Sequence, residues 1–182
     1  MKGFTLIEIL VALAILVSLT AIAVPSFAEL TVKVRVDNEI SHLYRMLLTA
    51  RNAAVNTGKD TTLCPLANNV CVEDWALPLT VFTDANNNKI FEKHLDEKIL
   101  KEKPAIPSLD KLQYGKHRKG VTYSASGALS NWGQNGTFKY CPNNHAGQSR
   151  GIIVATSGRL YKSFQGKSGQ DRNRSGKAII CR

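Results

Sequence analysis

Acidic residues are almost absent from the last two-fifths of the chain. Asp171 is the only Asp or Glu between residue 111 and residue 182, whereas the same stretch holds 13 Lys and Arg. Residues 1–110 carry 11 basic and 13 acidic residues, so the whole formal charge of +10 comes from the carboxy-terminal part. This distribution predicts either an anionic partner for that part or a solvated basic surface that contacts acidic neighbours.

The chain also lacks a recognisable set of catalytic or metal-binding groups. Its four cysteines form no C-x-x-C pair, and its four histidines have no partner that the sequence reveals. Asp84, Asn86 and Asn88 have the spacing of the first three ligands of an EF-hand loop, but Lys89 stands where that loop needs Gly. We therefore predict a protein that is not an enzyme, with no cofactor and no metal, and a polar loop stabilised by Asx turns at these residues.

One long apolar run is present, at residues 4–24, and Thr5, Glu8, Ser18 and Thr20 are its only polar residues. As a helix it would cover roughly 30 Å, the thickness of a bilayer core. No small-residue cleavage site of the A-x-A type follows it, unlike in a secretory signal peptide. The run predicts one membrane-embedded helix ahead of an exported domain. A lone carboxylate such as Glu8 costs about 2.5–3.5 kcal/mol in a membrane helix, so it needs a specific use.

The first 25 residues resemble the amino terminus of type IV pilins and type II secretion pseudopilins. The matching features are Gly3-Phe4, the stretch Thr5-Leu6-Ile7-Glu8, the apolar run and Pro25. The resemblance implies that a prepilin peptidase cuts between Gly3 and Phe4 and that the new amino terminus is methylated. It also implies that Glu8 pairs with the α-amino group of a neighbouring subunit in a fibre. Residues 1–3 would then be the leader, and residues 4–28 the transmembrane and assembly helix.

Beyond the membrane segment the pattern predicts an α+β domain. Apolar residues at helical spacing continue the helix to about residue 55, and Gly58 is suited to end it; they are Val36, Ile40, Leu43, Leu47, Ala50 and Ala54. Short β-rich runs follow, which predict six to eight strands in a mainly antiparallel sheet packed on the amphipathic half of the helix. These runs are 61–64, 79–82, 120–124, 136–141, 151–155 and 177–181.

All four cysteines lie in the part expected to be exported. An even number of cysteines in an oxidising compartment favours disulfides over metal binding. Of the three possible connectivities we favour Cys64–Cys71, a local link, with Cys141–Cys181, which ties the end of the chain to an earlier strand. The second link is expected to contribute roughly 4 kcal/mol through loop closure.

Later segments resemble the GspH/FimT family of minor pseudopilins, which implies a type IV pilin-like fold. The segments are Thr62-Leu63-Cys64-Pro65, Trp75, residues 81–88, residues 136–141 and residues 153–159. The resemblance implies a low-copy subunit that joins other pilin subunits. Residues 29–182 would form the periplasmic domain of a single-pass inner-membrane protein, which moves into a pilus or pseudopilus on assembly.

The basic residues concentrate in residues 159–177. From Lys162 the text reads KSFQGKSGQDRNRSGK, which predicts a mobile surface loop because it has too few apolar residues to form a core. Several cations on such a loop could reach successive phosphates of DNA without base specificity. Phe164 could stack on an unpaired base or serve as the one buried anchor of the loop.

FimT-type members of the resembled family are associated with DNA uptake in natural transformation and carry a Gly-Arg-x-Arg pattern. Gly158-Arg159-Leu160-Tyr161 matches only its first half, and Asp171-Arg172-Asn173-Arg174 supplies Arg-x-Arg without the Gly. We predict a minor pilin that binds DNA for uptake. The alternative is a structural minor pseudopilin of a type II secretion system, or a pilus-priming subunit, without DNA binding. The predicted DNA-binding residues are Arg172 and Arg174, supported by Lys162, Lys167 and Lys177, with Arg159 a weaker candidate.

Overall fold

The protein is described here by a computed structural model that covers residues 3–167 and 169–181, without the side chain of Pro25. Met1 and Lys2 of the predicted leader lie outside the described residues. The chain divides into two compact units, Met1–Arg35 and Val36–Arg182. The first unit is the apolar helical segment, and the second contains all of the strands.

Helix α1 runs from Leu6 to Thr57. Its amino terminus is a capping box, in which the backbone N–H and the hydroxyl of Thr5 both donate to Glu8 Oε2, at 2.8 and 2.9 Å. Its carboxy terminus is Gly58, which has the left-handed φ of +69° expected of a residue that ends a helix. In the described chain, α1 is the one helix whose length and composition suit a membrane span.

The amphipathic half of α1 packs on the strands of its own unit. All six residues of the predicted apolar face are at most 4% exposed, which confirms that prediction. Two polar contacts fix the helix position from opposite ends: Arg51 Nε donates to the Gly127 carbonyl at 2.9 Å, and Glu39 pairs with the buried Lys103 ammonium at 2.6 Å. The α+β class is confirmed.

Within the described residues the structure has eleven strands: β1 Thr61–Ala67, β2 Val70–Cys71, β3 Leu79–Thr83, β4 Ile99–Lys103, β5 Lys111–Tyr114, β6 Val121–Tyr123, β7 Gly136–Cys141, β8 Arg150–Val154, β9 Leu160–Lys162, β10 Phe164–Gln165 and β11 Asp171–Arg172. Short 3-10 helices lie at Lys93–Leu95 and Ala146–Gln148. The count exceeds the predicted six to eight because three of the strands have only two residues each.

All strand pairs are antiparallel, as predicted. One sheet has the order β2-β1-β3-β4, with β6 also paired to β1, and a second has the order β5-β7-β8-β9. Strands β10 and β11 form a separate hairpin. Two sheets and a hairpin therefore stand where the sequence predicted one sheet.

Two predictions about the end of the chain are wrong. Residues 177–181 are not a strand, because only Ala178 pairs, in a single bridge with Arg172. Residues 159–177 are not simply a loop, because β9, β10 and β11 all lie within them. The order there comes from backbone pairing and from the buried Ile179, which compensate for the scarcity of apolar side chains.

Both disulfides have the predicted connectivity. Cys64–Cys71 lies in the core, packed with Phe82. Cys141–Cys181 joins the end of β7 to the end of the chain. The segment that follows β11 is thereby held on the second sheet.

Candidate nucleic-acid interface

The tight turn from β8 to β9 presents Arg159 to solvent. Gly158 is buried in this turn with φ of +75°, and a Cβ there would lie 1.9 Å from the Gly127 carbonyl oxygen, so only glycine fits. The Ala155 N–H donates to the Arg159 carbonyl at 3.0 Å, which closes the turn. The Gly-Arg part of the resembled pattern is therefore a turn that exposes one guanidinium.

Strand β9 sends its side chains to two faces of the sheet. Lys162 is paired with Ile152 and Tyr161 with Ile153 across β8 and β9. Because Ile152 is fully buried and paired residues point to the same face, Lys162 lies on the face toward α1. There its ammonium sits 5.2 Å from the centroid of the Tyr44 ring. Tyr161 points to the opposite face, called the outer face below.

The guanidinium of Arg174 lies over the Tyr161 ring, 4.3 Å from its centroid. Position 161 is where the Gly-Arg-x-Arg pattern would have its second arginine. Tyr161 stands in place of that arginine in the sequence. Arg174, from a later segment of the chain, places a guanidinium on the same outer face. A cation stacked on an aromatic ring is held in orientation while its N–H groups stay available to an anion.

Arg172 has a different role from its neighbour Arg174. It is half-buried, its Nη1 donates to the Gly176 carbonyl at 2.8 Å, and its side chain packs against Gly166. These contacts join the turn between β10 and β11 to the turn that follows β11. Arg172 therefore stabilises the region, and of the two residues predicted to dominate, Arg174 is the more available to a ligand.

Asp171 does not offset the exposed cations. It is 8% exposed, and its carboxylate accepts a hydrogen bond from the Ser163 hydroxyl, which itself accepts from the Gly151 N–H at 2.9 Å. The backbone carbonyl of Asp171 accepts from the Ile179 N–H at 2.8 Å. The only acid of the last 72 residues is therefore hydrogen-bonded inside the fold. It does not neutralise the cations on the outer face.

The remaining predicted residues are placed separately. Lys167 is exposed in the β10–β11 turn, and Phe164 is 51% exposed, so it is not a buried anchor. Lys177 lines a surface cavity of ≈ 870 Å³, called the lysine cavity below, together with Lys116 and Lys139. The structure therefore brings Arg174 to Tyr161 and leaves Lys162 on the other face of the sheet.

The sequence reasoning missed two features beside this surface. Lys116-His117-Arg118-Lys119 forms the exposed turn between β5 and β6, and Trp132 is fully exposed before β7. The signal for the first was the basic run itself. The second had no signal, since the sequence does not reveal whether a tryptophan is inside or outside.

The residues predicted for processing and assembly lie at the start of the first unit. Phe4 is 85% exposed, and Glu8 is exposed on the helix apart from its hydrogen bonds to Thr5. The roles of Gly3, Phe4 and Glu8 stay predictions.

Two sequence families match the chain. Residues 39–158 match the family described as Type II transport protein GspH, which is more than half of the chain. Residues 1–24 match the Prokaryotic N-terminal methylation motif. Two fimbrial proteins of Pseudomonas aeruginosa are each 39% identical over 59 residues, which is 32% of this chain and 38% of their own length. The matched segment thus spans well under half of those relatives.

Two solved structures have a similar fold. The type IV minor pilin FimU of Pseudomonas aeruginosa aligns with a TM-score of 0.59 at 18% identity, over 79% of this chain and 96% of that one. The minor pseudopilin EpsH of the Type 2 Secretion System of Vibrio cholerae aligns with a TM-score of 0.50 at 15% identity, over 73% and 99%. At these identities the likeness concerns the fold alone. With the match over residues 39–158, it follows that the chain belongs to the GspH family and is a type IV pilin-like minor pilin or pseudopilin.

Proposed function

We propose that this minor pilin binds DNA without base specificity through the outer face of its carboxy-terminal region, residues 159–181, as a step in DNA uptake. The observation that carries the proposal is the separation of charges in this region. Asp171 is buried, whereas Arg159 and Arg174 are exposed, and Arg174 is oriented by the Tyr161 ring. Cations fixed on a surface neutralise phosphates and release counterions, which gives affinity without sequence readout.

The proposal includes the processing that the amino-terminal motif suggests. A prepilin peptidase would cut between Gly3 and Phe4, and methylation of Phe4 would follow. The domain would face the periplasm until the apolar helix leaves the inner membrane for a fibre of pilin subunits. There Glu8 would exchange its hydrogen bonds to Thr5 for the amino terminus of a neighbour. Replacement of Gly3 should leave the leader attached, which mass spectrometry of the purified chain would detect.

The test is a titration of the full chain in nonionic detergent against random-sequence duplex DNA at several salt concentrations. The test variant carries Arg159→Gln and Arg174→Gln. Arg172 is left intact because its loss would disturb the hairpin. We expect affinity to fall steeply with salt for the wild type, and the slope of log K against log salt to decrease by about 0.9 for each phosphate that the variant no longer neutralises.

A matched control removes two exposed cations elsewhere, with Lys93→Gln and Lys98→Gln. The net charge changes equally, so a general electrostatic effect would weaken both variants alike. Failure of the wild type to bind even at low salt would refute DNA binding. It would favour the second candidate, a structural pseudopilin whose basic face meets other subunits, in keeping with the fold shared with EpsH.

A further inference from the structure

Trp132 is the most unusual apolar side chain of the second unit. Its indole is fully exposed, whereas the other tryptophan, Trp75, is 3% exposed and donates from Nε1 to the Arg118 carbonyl at 2.8 Å. Tryptophan is highly buried on average because its large apolar surface is costly in water. A wholly exposed indole on a domain with a full core therefore indicates a contact surface.

The surface beside Trp132 is cationic. A cavity of ≈ 270 Å³, called the tryptophan cavity below, is lined by Trp132, Lys89, Arg118 and Lys119, and no carboxylate among the described residues lines it. His117 also lines it and contacts Glu73, with 3.3 Å between Nδ1 and Oε2. An aromatic platform ringed by cations suits an anion that carries a flat ring.

Gln134 forms part of the wall of this cavity. The residue is 7% exposed, and its Oε1 accepts from the Thr122 N–H at 2.9 Å, which fixes the orientation of the amide. Its Nε2 has no hydrogen-bond partner among the described residues. Nε2 itself is closed off from solvent, so Gln134 contributes a fixed wall to the cavity and not a donor to a ligand.

Contacts with Tyr114 of β5 hold the Arg118 and Gln134 walls of the cavity in place. Arg118 donates from Nη1 to the Asn135 carbonyl and lies over the Tyr114 ring, 5.7 Å from its centroid. The Tyr114 hydroxyl donates to the Gln134 carbonyl. The Arg118 guanidinium is thus held in place over β5, so it loses little order when a ligand binds.

From this geometry we propose that the tryptophan cavity binds one unpaired nucleotide of single-stranded DNA. The base stacks on Trp132, and Lys89, Arg118 and Lys119 contact its phosphates. A duplex cannot make this contact, because its bases already stack on each other, whereas a single strand presents free base faces. An acidic protein could also match the cations, because Trp and Arg are common in protein interfaces, and the test below separates the two partners.

The inference rests on the proposed function and specifies the form of DNA that the protein prefers. The tryptophan cavity adjoins the lysine cavity, since the β5–β6 turn lines both: Lys116 faces the lysine cavity and Arg118 the tryptophan cavity. Lys177 of the carboxy-terminal region lines the lysine cavity as well, although Glu73 and Asp74 also line it. A strand held at the carboxy-terminal region can therefore continue past the turn to Trp132.

The probe is a 15-nucleotide oligothymidine strand, compared with a duplex of the same length, on the full chain in nonionic detergent. Labelled-DNA anisotropy gives the affinity, and intrinsic fluorescence reports stacking. Because Trp75 is buried, quenching by the single strand would come from Trp132. We expect quenching by the single strand alone, and Trp132→Ala should weaken single-strand binding about tenfold while leaving duplex binding unchanged.

Leu109→Ala serves as the matched control, because Leu109 is a large apolar residue that is 70% exposed and lines neither cavity. It should leave the single-strand preference intact. If Trp132→Ala changes neither affinity while the wild type still binds DNA, the inference is overturned and the proposed function stands. If the wild type binds neither probe, both are overturned. If Trp132→Ala only prevents association with an acidic pilin subunit, the site is a protein interface and the inference is again overturned.

Discussion

Two surface regions of the second unit are rich in polar residues but are held in different ways. Residues 84–98, called the Asx loop below, are held by carboxylates that accept hydrogen bonds from backbone N–H groups. Asp84 accepts from the N–H groups of Asn88 and Lys89 at 3.0 and 3.2 Å and from the Thr62 hydroxyl at 2.6 Å. Glu97 accepts from two further backbone N–H groups.

The carboxy-terminal region has only one acid to serve in this way. It is held instead by the Cys141–Cys181 disulfide, by Ile179 packed over Gly151, and by the contacts of Asp171 and Arg172. The difference indicates that a covalent link and one apolar anchor can replace a network of buried carboxylates. A region ordered in this way can keep most of its cations on the surface.

The largest effect should come from removal of the covalent link. Cys141→Ser with Cys181→Ser should lower the free energy of unfolding by about 4 kcal/mol, because the unfolded chain regains the entropy of a long loop. Hydrogen exchange should quicken in the carboxy-terminal region and stay slow in the Asx loop. Denaturation followed by Trp75 fluorescence gives the first quantity, and exchange mass spectrometry the second. Equal loosening of both regions would mean that the disulfide stabilises the whole unit rather than this region.

The converse change should loosen the Asx loop alone. Asp84→Ala removes a fully buried acceptor and leaves its donors unpaired, so we expect a loss of about 2 kcal/mol. Asp74→Ala is the matched control, since Asp74 is exposed and accepts one backbone hydrogen bond, from Ala76. Exchange in the carboxy-terminal region should not change in either variant. If both variants lost the same free energy of unfolding, burial of the Asp84 carboxylate would not explain its contribution to stability.

The smallest effect should be a pH dependence outside both regions, at His42 on α1. Desolvation, and then the nearby cations Lys103 and Arg45, lower the pKa of His42 below its usual 6.5. The unfolded chain then binds this proton more readily, so the contribution of His42 to stability is lost as pH falls from about 6.5 to the lower pKa of the folded state. His42→Gln should show a smaller drop in melting temperature between pH 7.5 and pH 5.5. An unchanged drop would mean that other groups cause it.

The sequence predicted the parts of the fold that repeat a simple pattern. The helical spacing of Val36 to Ala54 gave the buried face, Gly58 gave the helix end, and the choice of disulfide pairs was correct. The Asx turns of the Asx loop were also predicted correctly, since Asn86 Oδ1 accepts from the Asn88 N–H and Asn88 Oδ1 accepts from the Ile90 N–H.

The candidate site was less predictable because its arrangement depends on contacts distant along the chain. The cation–π contact of Arg174 with Tyr161 depends on the path of the chain after β11, which no local sequence pattern predicts. Composition suggested a mobile loop at residues 159–177, but strand pairing within the hairpin leaves no trace in hydrophobic spacing. Trp132 was missed since exposure is a property of the whole fold.

The stacking of Arg174 on Tyr161 also shows how a positive charge on the outer face can be kept while its position in the sequence changes. An arginine at position 161 and one at position 174 would be alternative sources of one charge on the same face. A lineage could gain the second before it loses the first, and never pass through a form without that charge. Searches of related chains by linear motif would then undercount such surfaces, whereas a search for a guanidinium above the strand after the glycine turn would find them.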